Sequence, residues 1–177
     1  MPITIEMREL QLADGEQVVA IHEVMKVQDN FSFLLSDYVQ GEAFGPYLER
    51  VAEYKNPETV PEGKVVSTFF VAVINRKIAG RVSIRHSLNE FLALTGGHVG
   101  YAVAREFRGQ GVATYMLRFA IDFCRDLGIE KIFISCRVGN DASRSVIEKC
   151  GGEFARIVED HNKNGGSFRT YWIPTSR

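Results

Sequence analysis

The sequence predicts an α+β domain, with a mostly antiparallel sheet of about seven strands flanked by about four helices. Three observations point there. Between residues 65 and 104, three runs of β-branched and aromatic residues follow one another with no helical stretch between them, which reads as an antiparallel meander. After Gly111, the residues Val112, Tyr115, Met116, Phe119, Phe123 and Leu127 line one face of a helix. Around these segments the order is strand, two helices, the three strands, the long helix, strand, helix and two strands.

Each element has its own local reason. Ile3, Ile5 and Met7 alternate with Thr4, Glu6 and Arg8, the period of a half-buried strand. Asp14 followed by Gln17 resembles a capping box, and Val18, Ile21, His22 and Met25 continue at helical spacing. Pro46, tolerated in a first helical turn, opens a second helix through Leu48 and Val51 to about Tyr54. Pro57, Pro61 and Gly63 make 55–64 a loop. Residues 65–74 and 78–88 form a hairpin about Asn75, Arg76 and Lys77, and 98–104 form a third strand after a loop ending in Gly96 and Gly97. Gly128 stops the long helix, and 129–136 is a buried strand. A short helix follows, with Asn140 or Asp141 near its cap and Gly151 and Gly152 at its end. Residues 153–160 and 167–173 are the last two strands, across a turn at 161–166. No repeat or linker interrupts the chain, so 1–177 reads as a single domain.

Composition excludes several function classes. With 21 Lys+Arg against 22 Asp+Glu there is no global positive field for nucleic acid or an anionic membrane. No apolar run reaches the roughly 20 residues that span a bilayer, and the first ten residues lack the layout of a signal peptide. Cys124, Cys136 and Cys150 are an odd set without CxxC spacing, which predicts free thiols in a reducing cytoplasm and no metal site.

The junction REFRGQGVAT, 105–114, sets two glycines between a strand and a helix. Bare backbone N–H groups at a helix start suit phosphate oxygens, although for a glycine pair taken alone a tight strand-to-helix turn is the first explanation. A P-loop needs a Lys after the last glycine, and a dinucleotide fingerprint needs a third glycine where Thr114 stands. RGQGVA does match Arg/Gln-x-x-Gly-x-Gly/Ala, and residues 100–154 as a block resemble the core of the GNAT superfamily of acyl-CoA-dependent N-acyltransferases. The order of elements is similar to that family's throughout.

The resemblance implies a GNAT-like α/β three-layer domain, splayed between its fourth and fifth strands, with acetyl-CoA as co-substrate and no metal. Ala102 and Val103 would meet the pantetheine arm, and the Val103 N–H would stabilise the oxyanion. Arg108, Gly109, Gln110, Gly111, Val112, Ala113 and Thr114 would cradle the pyrophosphate. Arg105, Arg108, Arg144 and Lys149 lie near the expected phosphates, with solvated surface as the alternative. Asn140 and Ser143 match positions that bond the cofactor arm, with N-capping as the alternative.

An aliphatic amine of pKa ~10.4 must lose a proton before it attacks a thioester. His98 stands where the family often places a base, with a structural hydrogen bond as the alternative and Glu90 and His86 in reserve. The family's usual Tyr, about seven residues after the Asn, is replaced by Ile147. Tyr171 or Tyr101 then serves the leaving thiolate, or it departs unassisted, since a thiol of pKa ~8.5 is a fair leaving group. Cys136 reads as core. The acceptor is a primary amine of a small molecule or peptide, with Phe31, Phe33, Tyr38 and Phe44 as a candidate aromatic lining or plain core. A homodimer is common in the family. The alternatives are a non-catalytic acyl-CoA-binding or regulatory module and, from the incomplete glycine fingerprint, a nucleotide-dependent oxidoreductase.

Overall fold

A computed structural model describes residues 3–35, 37–160 and 165–176. In chain order the elements are β1 (Glu6–Glu9), α1 (Gly15–Asp29), α2 (Phe44–Glu53), β2 (Ser67–Ile74), β3 (Lys77–Arg85) and β4 (Val99–Val103). After them come α3 (Val112–Asp126), β5 (Lys131–Arg137), α4 (Asp141–Lys149), β6 (Glu153–Glu159) and β7 (Ser167–Pro174). The strands form two antiparallel sheets, β1-β2-β3-β4 and β5-β7-β6. The break falls between β4 and β5, where the sequence placed the splay. The turn read at 161–166 lies mostly outside the described residues.

Strand alternation builds the layers. Even positions of β2 and β3, including Phe70, Ala72, Val82 and Ile84, pack with Met116, Leu117 and Ala120 of α3, with Ile132 and Ile134 of β5, and with Ile147 of α4. The opposite face, with Phe69, Val71 and Ala102, packs under Val18 and Met25 of α1 and Tyr47 and Val51 of α2. Met116, Leu117 and Ile147 are fully buried, and truncating any one of them to Ala is expected to cost about 2–5 kcal/mol.

Local readings differ from the structure at two points. Asp14 does not cap α1 with its side chain. Its carboxylate accepts from the Gln11 N–H at 2.8 Å and forms two bonds to Arg8, at 2.7 and 2.8 Å, tightening a 3-10 turn at Leu12–Asp14. Gln17 instead reaches the β2–β3 hairpin, where its Oε1 accepts from the Ile78 N–H at 2.9 Å. The loop before β4 is wound into one wide π-type turn, Leu92–Gly96. Gly97 follows it at φ +67, and a Cβ there would run into the Phe133 carbonyl. That approach stitches the two sheets at one end.

Candidate functional site

At that end the His98 N–H donates to Phe133 O at 2.7 Å, and the Phe133 N–H donates back to His98 Nδ1 at 2.9 Å. Beyond this stitch β4 and β5 share no ladder, and a cleft opens between two edge strands.

The register of β4 decides which backbone groups face the cleft. Arg85 N–H donates to His98 O, and Ala104 N–H to Ala79 O. The His98 carbonyl and the Ala104 N–H therefore point at β3, and in an antiparallel pair so do the backbone groups of the even positions between them. The N–H and C=O of Val99, Tyr101 and Val103 face away from β3, into the cleft. The Val103 N–H is among these outward-facing groups. Ala102 is not: its backbone pairs toward Arg81 and its side chain is buried against α1 and α2, so the backbone contact expected of it with a cofactor arm is corrected.

The cleft ends at the glycine turn. Gly109 and Gly111 have φ of +74 and +84, a region that costs a residue with a Cβ roughly 1–2 kcal/mol, and no protein atom lies within 4 Å of where either Cβ would be. Gly111 is the N-cap of α3, and no side chain caps that helix. The N–H groups of Val112, Ala113 and Thr114 are the helix's unpaired first turn, at the positive end of its dipole. Gln110 turns its amide back onto Glu106 O at 2.8 Å. This donor-lined turn fits a pyrophosphate.

Arg108 departs from its expected part. Its N–H is used within the preceding 3-10 turn, donating to Arg105 O at 3.3 Å. Its guanidinium donates to Val103 O at 3.2 Å and to Asp29 Oδ2 at 2.8 Å, while Arg105 donates to Asp29 Oδ1 at 2.7 Å. The hydrogen bond from Arg108 leads the causes that hold the Asp29 carboxyl below its usual value. Arg144 likewise pairs with Glu148 at 2.9 Å. Through Asp29 the C-terminal end of α1 is tied to this loop.

On the other wall, Asn140 caps α4, its Oδ1 accepting from the Ser143 N–H at 3.1 Å. Ser143 Oγ lies 2.7 Å from the Tyr101 hydroxyl, which reaches from β4 across to α4. Burial pushes the Tyr101 phenol up to about 12, so it stays protonated at neutral pH. Ile147, one turn further along α4, is 0% exposed and offers nothing polar. The Tyr171 hydroxyl is 3.5 Å from Glu148 Oε1 and buried beneath α4, on a strand that β5 separates from the cleft.

His98 carries a definite tautomer. Because Nδ1 accepts from Phe133, a neutral ring has its proton on Nε2 and no lone pair left for an amine. Burial is the main cause that lowers its pKa and keeps it neutral. Its geometry is that of a clasp between sheets. His86 bonds Thr68 Oγ1 at 3.0 Å on the side facing Phe123 of α3, and Glu90 is exposed on the loop after β3. Cys136 is buried, and all three cysteines are free thiols. Among the described residues no cluster suits a metal ion, and no helix is long and apolar enough to cross a membrane.

The match to a family model decides the family. The model for the acetyltransferase (GNAT) family matches residues 29–152. The chain belongs to the GNAT acetyltransferase family. It is an acetyl-CoA-dependent acyltransferase. It is 30% identical over 106 residues to N-alpha-acetyltransferase 30 of Schizosaccharomyces pombe, covering 59% of this chain and 71% of that protein. It is also 30% identical over 137 residues to an uncharacterized N-acetyltransferase of Bacillus subtilis, covering 76% of this chain and only 50% of the relative. Among solved structures, the self-immunity acetyltransferase MccE, in complex with acetyl-CoA and AMP, superimposes with a TM-score of 0.73 at 17% identity, over 96% of this chain and 92% of that one.

The α1–α2 side of this GNAT protein holds residues that sequence reasoning passed over. Phe33, Tyr38 and Phe44 are core of the α1–α2 layer, Tyr38 packing edge-on to His22 and Tyr47. Phe31 is exposed, with the Arg81 guanidinium 5.5 Å from its ring. Arg81 itself is buried and donates to Phe33 O, Gly100 O and Ser32 O at 2.8, 3.0 and 3.1 Å, tying the α1–α2 loop to β4. Burial pushes its pKa down to about 10, which leaves it cationic at neutral pH. The sequence signal was the polar series 81, 83, 85 alternating with Val82 and Ile84, which a strand with one solvated face also produces.

Proposed function

We propose that this GNAT protein moves an acetyl group from acetyl-CoA to a primary amine by direct attack, without an acyl-enzyme. The observation that carries the reading is the Val103 N–H, turned out of the β3–β4 ladder into a cleft that ends at an uncapped helix start. Acetyl-CoA supplies the activated acyl group as a thioester. The N–H groups of 109–114 bind its pyrophosphate, and the bare glycines let the phosphates approach the backbone. The Val103 N–H donates to the carbonyl oxygen as it gains charge. Tyr101, with Ser143 fixing its hydroxyl, donates a hydrogen bond toward the departing sulfur, replacing the phenol that Ile147 removes from α4. His98 keeps β4 and β5 together, so the acceptor gives its proton to water and attacks as the neutral amine; as the C–N bond forms the C–S bond breaks, and the departing CoA thiolate takes up the proton that the new amide nitrogen loses.

The test is release of free CoA thiol from acetyl-CoA over a broad panel of amines. Turnover with at least one amine, lost in a Gly111→Glu variant that binds no acetyl-CoA, supports the proposal. Binding of acetyl-CoA with no turnover on any amine would reassign the chain as a non-catalytic acyl-CoA-binding module.

A further inference from the structure

On the α1–α2 side of the first sheet a cavity of about 330 Å³ lies between the end of α2, the loop at 63–65 and the turn at 89–92. Lys64, Ser67, Ser83, Arg85, Asn89 and Tyr54 bring the polar groups to its wall, and among the described residues no Asp or Glu lines it. Its volume is at the small end of ligand sites, about 300–1,000 Å³, and suits a metabolite-sized group better than an extended peptide.

The charge of this cavity is unbalanced. Arg85 Nη1 donates to Gly96 O and Gly97 O at 3.1 and 3.4 Å, and among the described residues its Nε and Nη2 donate to nothing. Arg81 stands beside it: a Cβ on Gly100 would lie 3.3 Å from Arg85 Nη1 and 3.7 Å from Arg81 Nη1. Two guanidinium groups thus share the space over the one residue of β4 that has no side chain. After burial, the charge of Arg85 is the next cause that lowers the pKa of Arg81. Arg81 spends its donors on three carbonyls, so the donors open to an anion are those of Arg85. Planar, forked donors favour a carboxylate. Gly100 belongs to β4, the strand whose outer edge borders the cleft, and stands three residues before Val103, so a molecule anchored here reaches the cleft along that strand.

We propose that the acceptor is a small amino acid-like molecule whose carboxylate is held in this cavity by Arg85, with Arg81 behind it and Lys64 at the rim. The inference rests on the acetyltransferase reading and narrows its substrate class.

The experiment compares N-acetylated amino acids with their carboxamides as product analogues, titrated into the protein saturated with CoA and read by calorimetry. A parallel arm compares amino acids, their amides and phosphoethanolamine as acceptors. Expected are at least tenfold tighter binding of the carboxylates and at least tenfold higher kcat/KM on acids than on amides. Both preferences are lost in Arg85→Gln and largely kept in Arg85→Lys, with acetyl-CoA binding intact in each variant. Lys64→Ala, on an exposed loop, weakens the preference a few-fold and serves should Arg85→Gln not fold. Equal binding of acids and amides, binding of neither, or faster turnover of phosphoethanolamine would overturn the carboxylate assignment. Intact acetyl-CoA binding in those cases leaves the acetyltransferase reading standing; loss of acetyl-CoA binding by the unmodified protein is the separate failure of that reading.

Discussion

The Tyr101 hydroxyl lies 2.7 Å from Ser143 Oγ, joining the edge strand of one sheet to the helix that follows the edge strand of the other. A phenol from β4 therefore stands on the face of α4 one turn from Ile147. Tyr101→Phe is expected to lower kcat about 10- to 100-fold, the worth of one hydrogen bond to a charged group, with acetyl-CoA affinity little changed. Ser143→Ala, which leaves the phenol in place but less fixed, should show a smaller loss. Steady-state kinetics with the dissociation constant of acetyl-CoA measured in parallel separates the two effects.

The identity of residue 147 should not restore what Tyr101 supplies. Ile147 is wholly enclosed by the core, and a larger side chain there is expected to cost about 1–3 kcal/mol through overpacking. Ile147→Tyr should thus lower the unfolding midpoint without raising kcat, as denaturant titration and the thiol-release assay would show.

The glycine turn makes a prediction that separates strain from ligand space. Gly111→Ala forces a Cβ into φ +84 and is expected to lower stability by about 1 kcal/mol, with a modest rise in KM for acetyl-CoA. Gly111→Glu adds bulk and negative charge where phosphates approach. It should destabilise to a similar extent yet raise that KM by well over tenfold.

Three buried or half-buried histidines set a pH dependence. Burial is the leading cause that lowers the pKa of His22, His86 and His98. Each is neutral in the folded chain, so on acidification the unfolded chain takes up protons first. Stability should be unaffected by these groups above ~6.5 and fall progressively as the pH drops below it. Thermal unfolding from pH 8 to 5 checks this, and His98→Gln should reduce the slope below pH 6.5. The clasp has a kinetic counterpart: kcat/KM should rise with pH toward the pKa of the acceptor amine, with no separate inflection from His98.

Much of the fold was legible because its signals are local. Strand alternation, the glycine pair and the apolar face of α3 lie within a few residues of one another, and the family pattern RGQGVA is contiguous. The site was legible only where it is backbone on a contiguous segment, as at 109–114. What was missed depends on partners far along the chain. Nothing near His98 tells that Phe133 will donate to its Nδ1, and nothing near Ala102 tells that its backbone faces Arg81 until the β3–β4 register is known. Arg81 and Arg85 carry no local sign of burial because their covers, Ser32, Phe33 and the turn at 92–97, come from other parts of the chain. Asp29 similarly meets Arg105 and Arg108 across almost half the sequence.

The central claim is that the β4–β5 cleft and the bare turn at Gly109 and Gly111 form one acetyl-CoA site. Calorimetric titration of acetyl-CoA into the protein and into Gly111→Glu tests it most directly. A saturable single-site heat in the unmodified protein that disappears in the variant is the predicted result; no heat in the unmodified protein, or the same heat in both, would contradict it.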